Sequence, residues 1–146
     1  MPTVANIGPL GSWRMTLVNA TSEYDVYTGP KYDRPGIPEV NPGDPVLTIK
    51  VTLRNDYSLE HPVPDSRFSN NTKYAVFIVT ANLYDKSGNQ IQAPDVTDPH
   101  WMPVPMPQHG LDYGATSTFD IVLLTSRRDI DHYEIEIITV ASMPIP

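Results

Sequence analysis

Apolar and polar residues alternate in five segments of this chain, and an alternation of period two marks a strand with one buried face. In Trp13-Arg14-Met15-Thr16-Leu17 the odd positions are apolar. In Leu47-Thr48-Ile49-Lys50-Val51-Thr52-Leu53-Arg54 the two threonines, the lysine and the arginine all fall on one side. Phe77, Val79, Ala81 and Leu83 alternate with Ile78, Thr80, Asn82 and Tyr84, and that segment is apolar enough on both faces to predict a central strand. Thr118–Leu123 and Tyr133–Ile137 repeat the pattern. These segments are rich in β-branched and aromatic residues, which suit a pleated, half-buried surface. No window sustains a helical period of apolar residues, so almost no helix is expected.

Turn chemistry falls between the alternating runs. Asp85-Lys86-Ser87-Gly88-Asn89 is suited to close a hairpin between Tyr84 and Gln90-Ile91-Gln92. Asn55-Asp56 and Asp112-Tyr113-Gly114 mark further strand ends. Ten of the 16 prolines fall in two blocks, Pro30–Pro45 and Pro94–Pro107. Proline cannot donate to a ladder, so both blocks read as loops, edges or extended segments. Neither side of a block holds enough strands for a core of its own, which favours one domain with long loops over two domains joined by a linker.

The pattern argues an all-β sandwich or barrel, and the fold expected is an antiparallel immunoglobulin-like β-sandwich of about seven to nine strands. Its expected core is Trp13, Met15, Leu17, Leu47, Ile49, Val51, Leu53, Phe77, Val79, Leu83, Phe119, Ile121, Leu123, Tyr133, Ile135 and Ile137. The sandwich is placed at residues 12–140. Residues 1–11 and 141–146, apolar and proline-bearing, are expected to lie outside it as tails that fray or rest on a neighbour in an assembly.

Composition narrows the function. With no cysteine there is no disulfide, thiolate nucleophile, blue-copper centre or cysteine zinc site. The net charge of −7 comes from dispersed carboxylates and disfavours nucleic acid and anionic membranes as partners. No run approaches the roughly 20 apolar residues of a membrane-spanning helix. Met1–Leu10 lacks the basic start and apolar run of a secretory signal, leaving two readings: an exported protein whose signal is missing from this chain, or a cytosolic or virion component that starts here. Eight tyrosines against three phenylalanines suit an interface.

Two local patterns carry a resemblance. An alternating strand running into "VTLRND" (Val51–Asp56) is followed by "LYDKSGNQI" (Leu83–Ile91), and "LDYGATSTFDIVL" (Leu111–Leu123) comes later. The chain thereby resembles the small immunoglobulin-like domains of unknown function in bacterial and archaeal secreted proteins and lipoproteins, which are similar to immunoprotective extracellular antigens. The resemblance covers roughly residues 12–140 and implies an exported, non-enzymatic sandwich. It implies no catalytic residue. A lipoprotein cysteine and an export signal are missing here, and the proline-rich stretch at 94–107 is not part of the pattern.

Candidate chemistry concentrates in His100-Trp101-Met102-Pro103-Val104-Pro105-Met106-Pro107-Gln108-His109. His100, Met102, Met106 and His109 are soft and borderline donors of the kind copper takes, and the prolines would stiffen their loop. The competing reading packs both methionines over one end of the sandwich and leaves the histidines in water. Trp101 with Tyr113 would make an aromatic platform for a sugar or a proline-rich peptide, against the simpler role of Trp101 as a plug for the core.

Asp95, Asp98, Asp129 and Asp131 are loop carboxylates suited to calcium, but Asp85–Asn89 lacks the later ligands of a calcium loop. Glu134 and Glu136 alternate along one face and are expected to meet solvent rather than form a glycosidase pair. There is no Gly-x-Ser-x-Gly elbow and no phosphate-binding glycine loop. Asn19-Ala20-Thr21 and Asn70-Asn71-Thr72 fit the glycosylation acceptor pattern.

No cofactor is expected. The expected role is a non-enzymatic, extracytoplasmic binding or structural module with a protein partner, acting through Pro30–Pro45 and Pro94–His109. The alternatives are a subunit of a filament, envelope layer, capsid or membrane complex, and a copper-binding or carbohydrate-binding protein.

Overall fold

Each long alternating segment is a strand, because only a period of two puts its apolar residues on one face. The computed structural model describes residues 1–11, 15–31, 33, 39–56, 72–97 and 114–144, with side chains described except over 72–78 and 138–144. Eight strands are defined among the described residues, and no helix. In chain order they are β1 (Thr3–Val4), β2 (Gly8–Pro9), β3 (Met15–Val26), β4 (Pro45–Asn55), β5 (Thr72–Tyr84), β6 (Gln90–Ile91), β7 (Thr116–Leu124) and β8 (His132–Pro144). They form two four-stranded sheets, β2-β3-β4-β7 and β1-β8-β5-β6. All pairings are antiparallel except β1 with β8, which is parallel.

One hydrophobic cluster draws on both sheets, with Leu17, Ile49, Leu53 and Ile121 from one and Val79, Leu83, Tyr133 and Ile135 from the other. Every expected core residue whose side chain is described is buried. Trp13 lies outside the described residues, and the Phe77 side chain falls within 72–78. Leu10, Val40, Ile91 and Ile130 join the buried set without any alternating run to announce them.

The alternation breaks once within β3, and a bulge explains it. Leu17 pairs with Leu53 and Asn19 with Thr52, so Val18 is an extra residue. The insertion resets the phase: Ala20 then faces the core while Val18 stays 43% exposed. A second irregularity sets Ile78 opposite Thr139 but Val79 opposite Ile137. The expected central strand, β5, pairs with β8 along its length and with β6 only at Leu83–Tyr84.

The hairpin forms where turn chemistry places it. Asp85 Oδ1 accepts from the Ser87 and Asn89 backbone N–H groups at 2.9 and 3.0 Å. Gly88 takes a φ of +82°, a conformation that side chains disfavour. Asp85→Ala removes both side-chain bonds and is expected to cost about 1–2 kcal/mol, read as a lower Tm in thermal unfolding by circular dichroism.

The chain termini depart from expectation. Residues 1–11, read as a tail outside the sandwich, supply a short strand to each sheet and bury Pro2 and Leu10. At the other end β8 continues past residue 140, with Tyr74 opposite Met143 and Thr72 opposite Pro144. Short apolar segments with prolines lack a visible period, yet two residues are enough to add to an existing sheet edge.

Candidate functional site

The residues singled out for metal or ligand binding, His100, Trp101, Met102, Met106, His109 and Tyr113, lie outside the described residues, as does Asp98. What is described is the frame around them. Thr97 donates its backbone N–H to the Leu124 carbonyl at 2.9 Å, and Gly114 donates to the Asn55 carbonyl at 2.6 Å. The two anchors therefore sit at opposite ends of β7, separated by about 30 Å of strand. The Pro30–Pro45 block has its feet tied by a reciprocal pair of backbone bonds, Tyr27 N–H to Asp44 O (2.8 Å) and Gly43 N–H to Tyr27 O (2.7 Å).

Between β5, β6 and the start of the Pro94 block lies a cleft of about 480 Å³. Its walls are chiefly apolar, from Ala81, Leu83, Ile91, Val96 and Leu123. Amides edge it on the solvent side: Gln92 donates to Gln90 and Gln90 to Asn82, each at 3.3 Å, and Asn82 donates to Glu136 at 2.7 Å.

Three of the carboxylates considered for calcium have other partners. Arg127 donates to both carboxylate oxygens of Asp129 (2.9 and 2.8 Å) and lies 3.6 Å from Asp95. That guanidinium holds the Asp129 carboxyl below its usual range. Asp131 Oδ2 sits 2.8 Å from His132 Nδ1. Among the described residues no group of three or more histidine, aspartate or glutamate side chains converges on one point. Glu134 and Glu136 face solvent, and Asn19 stands exposed on β3.

The most developed polar constellation lies elsewhere, along the outer edge of β8 where the first residues of the chain dock. The Thr3 N–H donates to the Asp131 carbonyl at 3.3 Å and the Ala5 N–H to the Tyr133 carbonyl at 2.8 Å. Asn6 continues the ladder with its side chain, since Nδ2 donates to the Ile135 carbonyl (2.8 Å) and Oδ1 accepts the Ile135 N–H (3.0 Å). A carboxamide presents the same donor–acceptor pair as a peptide group, so Asn6 acts as a further rung. The chain then turns away to β2, leaving a cleft of about 250 Å³ between Asn6, Pro9, Leu10 and Ile135–Ile137. Beyond it, from Ile137 to Pro144, no described strand pairs with the outer edge of β8. Ile137–Met143 holds neither a charge nor a proline, the residues that ordinarily protect an edge.

Beneath the docked segment Tyr133 crosses the core. Its ring is fully buried, and among the described residues its hydroxyl has no hydrogen-bond partner. Ser22 is close to that hydroxyl but gives its own proton to the Pro2 carbonyl at 2.8 Å. Burial pushes the Tyr133 phenol above its usual 10.0, with a smaller opposing pull from Ser22. Tyr84 is raised first by burial and then by Glu134. Its ring stacks on His132, with centroids 5.0 Å apart.

A raised phenol pKa means that the unfolded chain ionises first. The folded state keeps its full advantage below about pH 10 and loses it as pH climbs through the unfolded value toward the raised ones. Thermal melts across about pH 9–12 are expected to show Tm falling above pH 10, with a shallower fall in Tyr133→Phe.

Comparison of the chain with protein-family models, with curated proteins and with solved structures finds no match in any of the three. The functional reading therefore rests on the geometry. Sequence reasoning passed over Asn6 and Tyr133 as site residues. An asparagine amid Thr3-Val4 and Ile7 is the one local signal, and its meaning depends on a β8 edge more than 120 residues away, the Asn6–Ile135 separation being 129.

Proposed function

We propose that this chain is an immunoglobulin-like β-sandwich serving as a non-enzymatic binding or structural module outside the cytoplasm, and that it engages a protein partner by accepting a strand along β8. The observation that carries the reading is the outer edge of β8, which among the described residues pairs with Thr3–Val4 at one end and which holds neither a charge nor a proline over Ile137–Met143. Unpaired N–H and C=O groups in a row are a template for strand addition, with main-chain bonds giving affinity and alternate side chains giving specificity.

The connectivity supports the fold half of the proposal. β4 pairs with β7 and β5 with β8, while the chain crosses between sheets from β4 to β5 and again from β7 to β8. Two interlocked pairs of this kind are what an immunoglobulin-like Greek key contains. In that scheme β5 and β8 stand where two strands of the three-stranded sheet belong. Among the described residues, the third position, beside β8, is held by the two residues of β1.

Hydrogen exchange on the protein, alone and in the complex isolated from its native source, tests this reading. Within Ile137–Met143, the amides that point away from β5 are expected to exchange fast in the isolated chain and to become protected in the complex. Protection confined to another surface, such as the Tyr84–His132 face, would remove the strand-addition reading. Light scattering of the native-source material supplies the mass and separates a binary complex from a many-chain assembly.

A further inference from the structure

We infer that the arm formed by residues 1–10 exchanges between copies of this chain, so that β1 and β2 of one molecule dock on β8 and β3 of a second. The inference rests on the proposed role of β8 as a strand acceptor, and the stretch of edge it uses is Asp131–Ile135, where the arm of a second copy takes the place of the chain's own. The cradle and its occupant are both visible within one molecule. The described contacts that hold the arm belong to segments that an identical chain also carries, among them the Thr3 and Ala5 backbone bonds, the Asn6–Ile135 pair, the Ser22–Pro2 bond, the β2–β3 pairing and the Leu10 N–H to Met15 carbonyl bond at 2.9 Å. A swapped arm loses none of them.

Three features favour exchange over permanent attachment in cis. First, the arm is fastened by two strands of only two residues each, so releasing it breaks few bonds and leaves β3, β4, β5, β7 and β8 paired. Second, the docked arm leaves Ile7 54% and Met1 70% exposed, so releasing it gives up little apolar burial at those residues. Third, only four positions, 11–14, separate Leu10 from Met15, and connections this short between paired segments invite swapping. The opposite geometric arrangement, a long flexible hinge, would favour closure on the same molecule.

The absence of cysteine makes the test direct. Thr3 and His132 are Cα partners across the β1–β8 pairing, and both reach solvent. Full-length Thr3→Cys and His132→Cys chains, carrying different affinity tags, are mixed at high concentration, incubated and oxidised. A mixed disulfide dimer is expected, and it should be absent when Glu134→Cys replaces His132→Cys. Position 134 lies about 6–7 Å further along the strand, beyond disulfide reach. The double variant Thr3→Cys/His132→Cys must close within one chain at low concentration, and failure to do so overturns the register on which the inference depends.

No mixed dimer above the Glu134→Cys control, from single variants that melt like the parent protein, overturns arm exchange. If the cross-link fails while Ile137–Met143 becomes protected in the native complex, the donor is a different protein and the strand-acceptor reading stands alone. A cross-link that forms while those amides never gain protection leaves the swap and removes the acceptor reading.

Discussion

Tyr133→Ala is expected to destabilise the protein by about 3–5 kcal/mol, a large part of the ~5–15 kcal/mol that holds a domain of this size folded. The residue is fully buried and sits in the cluster shared by both sheets, beside the site where the arm docks. Truncation removes a ring whose loss neighbouring strands cannot refill, because their side chains are already committed to facing positions. Tyr133→Phe should behave in the opposite way. It deletes a hydroxyl that has no hydrogen-bond partner among the described residues, so stability is expected to be unchanged or raised by up to about 1 kcal/mol. Urea unfolding of the pair separates ring from hydroxyl. A substantial loss of stability in Tyr133→Phe would mean that the hydroxyl is bonded after all.

Asn6→Ala has the second largest expected effect. The wild-type amide makes two bonds to the Ile135 backbone, at 2.8 and 3.0 Å, and the alanine makes neither. At about 0.5–1.5 kcal/mol per bond the cost is about 1–3 kcal/mol, or roughly 2–4 °C of Tm for each kcal/mol in a chain of this length. The loss should be local before it is global. The Ala5 and Ile135 amides are expected to exchange faster while amides in β4 and β7 keep the protection of the parent. Asn6→Asp keeps the acceptor but sets a carboxylate oxygen against the Ile135 carbonyl where the donor was, so it should be no milder than Asn6→Ala. Parent-like exchange at Ile135 in Asn6→Ala would show that the side chain is not a rung of the ladder.

The contrast between these residues marks what was readable along the chain. Leu47, Ile49, Val51 and Leu53 were legible as core because a run with period two has one face to bury, whichever strands lie beside it. Asp85–Asn89 was legible as a hairpin because its hydrogen bonds close within five residues, so no distant partner enters. The β3 bulge was half legible: the alternation visibly fails at Val18, but which residue turns outward depends on the register against Thr52 and Leu53.

The candidate site was not readable in this way. Thr3-Val4 is too short for any period to show, and Asn6 becomes a backbone surrogate only once β8 has brought Ile135 to it. Ser22 and Tyr133 meet beneath Pro2 through the stacking of two sheets rather than through any local pattern. Local chemistry thus decided the elements: period, turn residues, the absence of helix. Pairing across long separations decided the rest, because a sheet edge is defined by which strand fails to arrive, and that depends on how every other strand has already been placed.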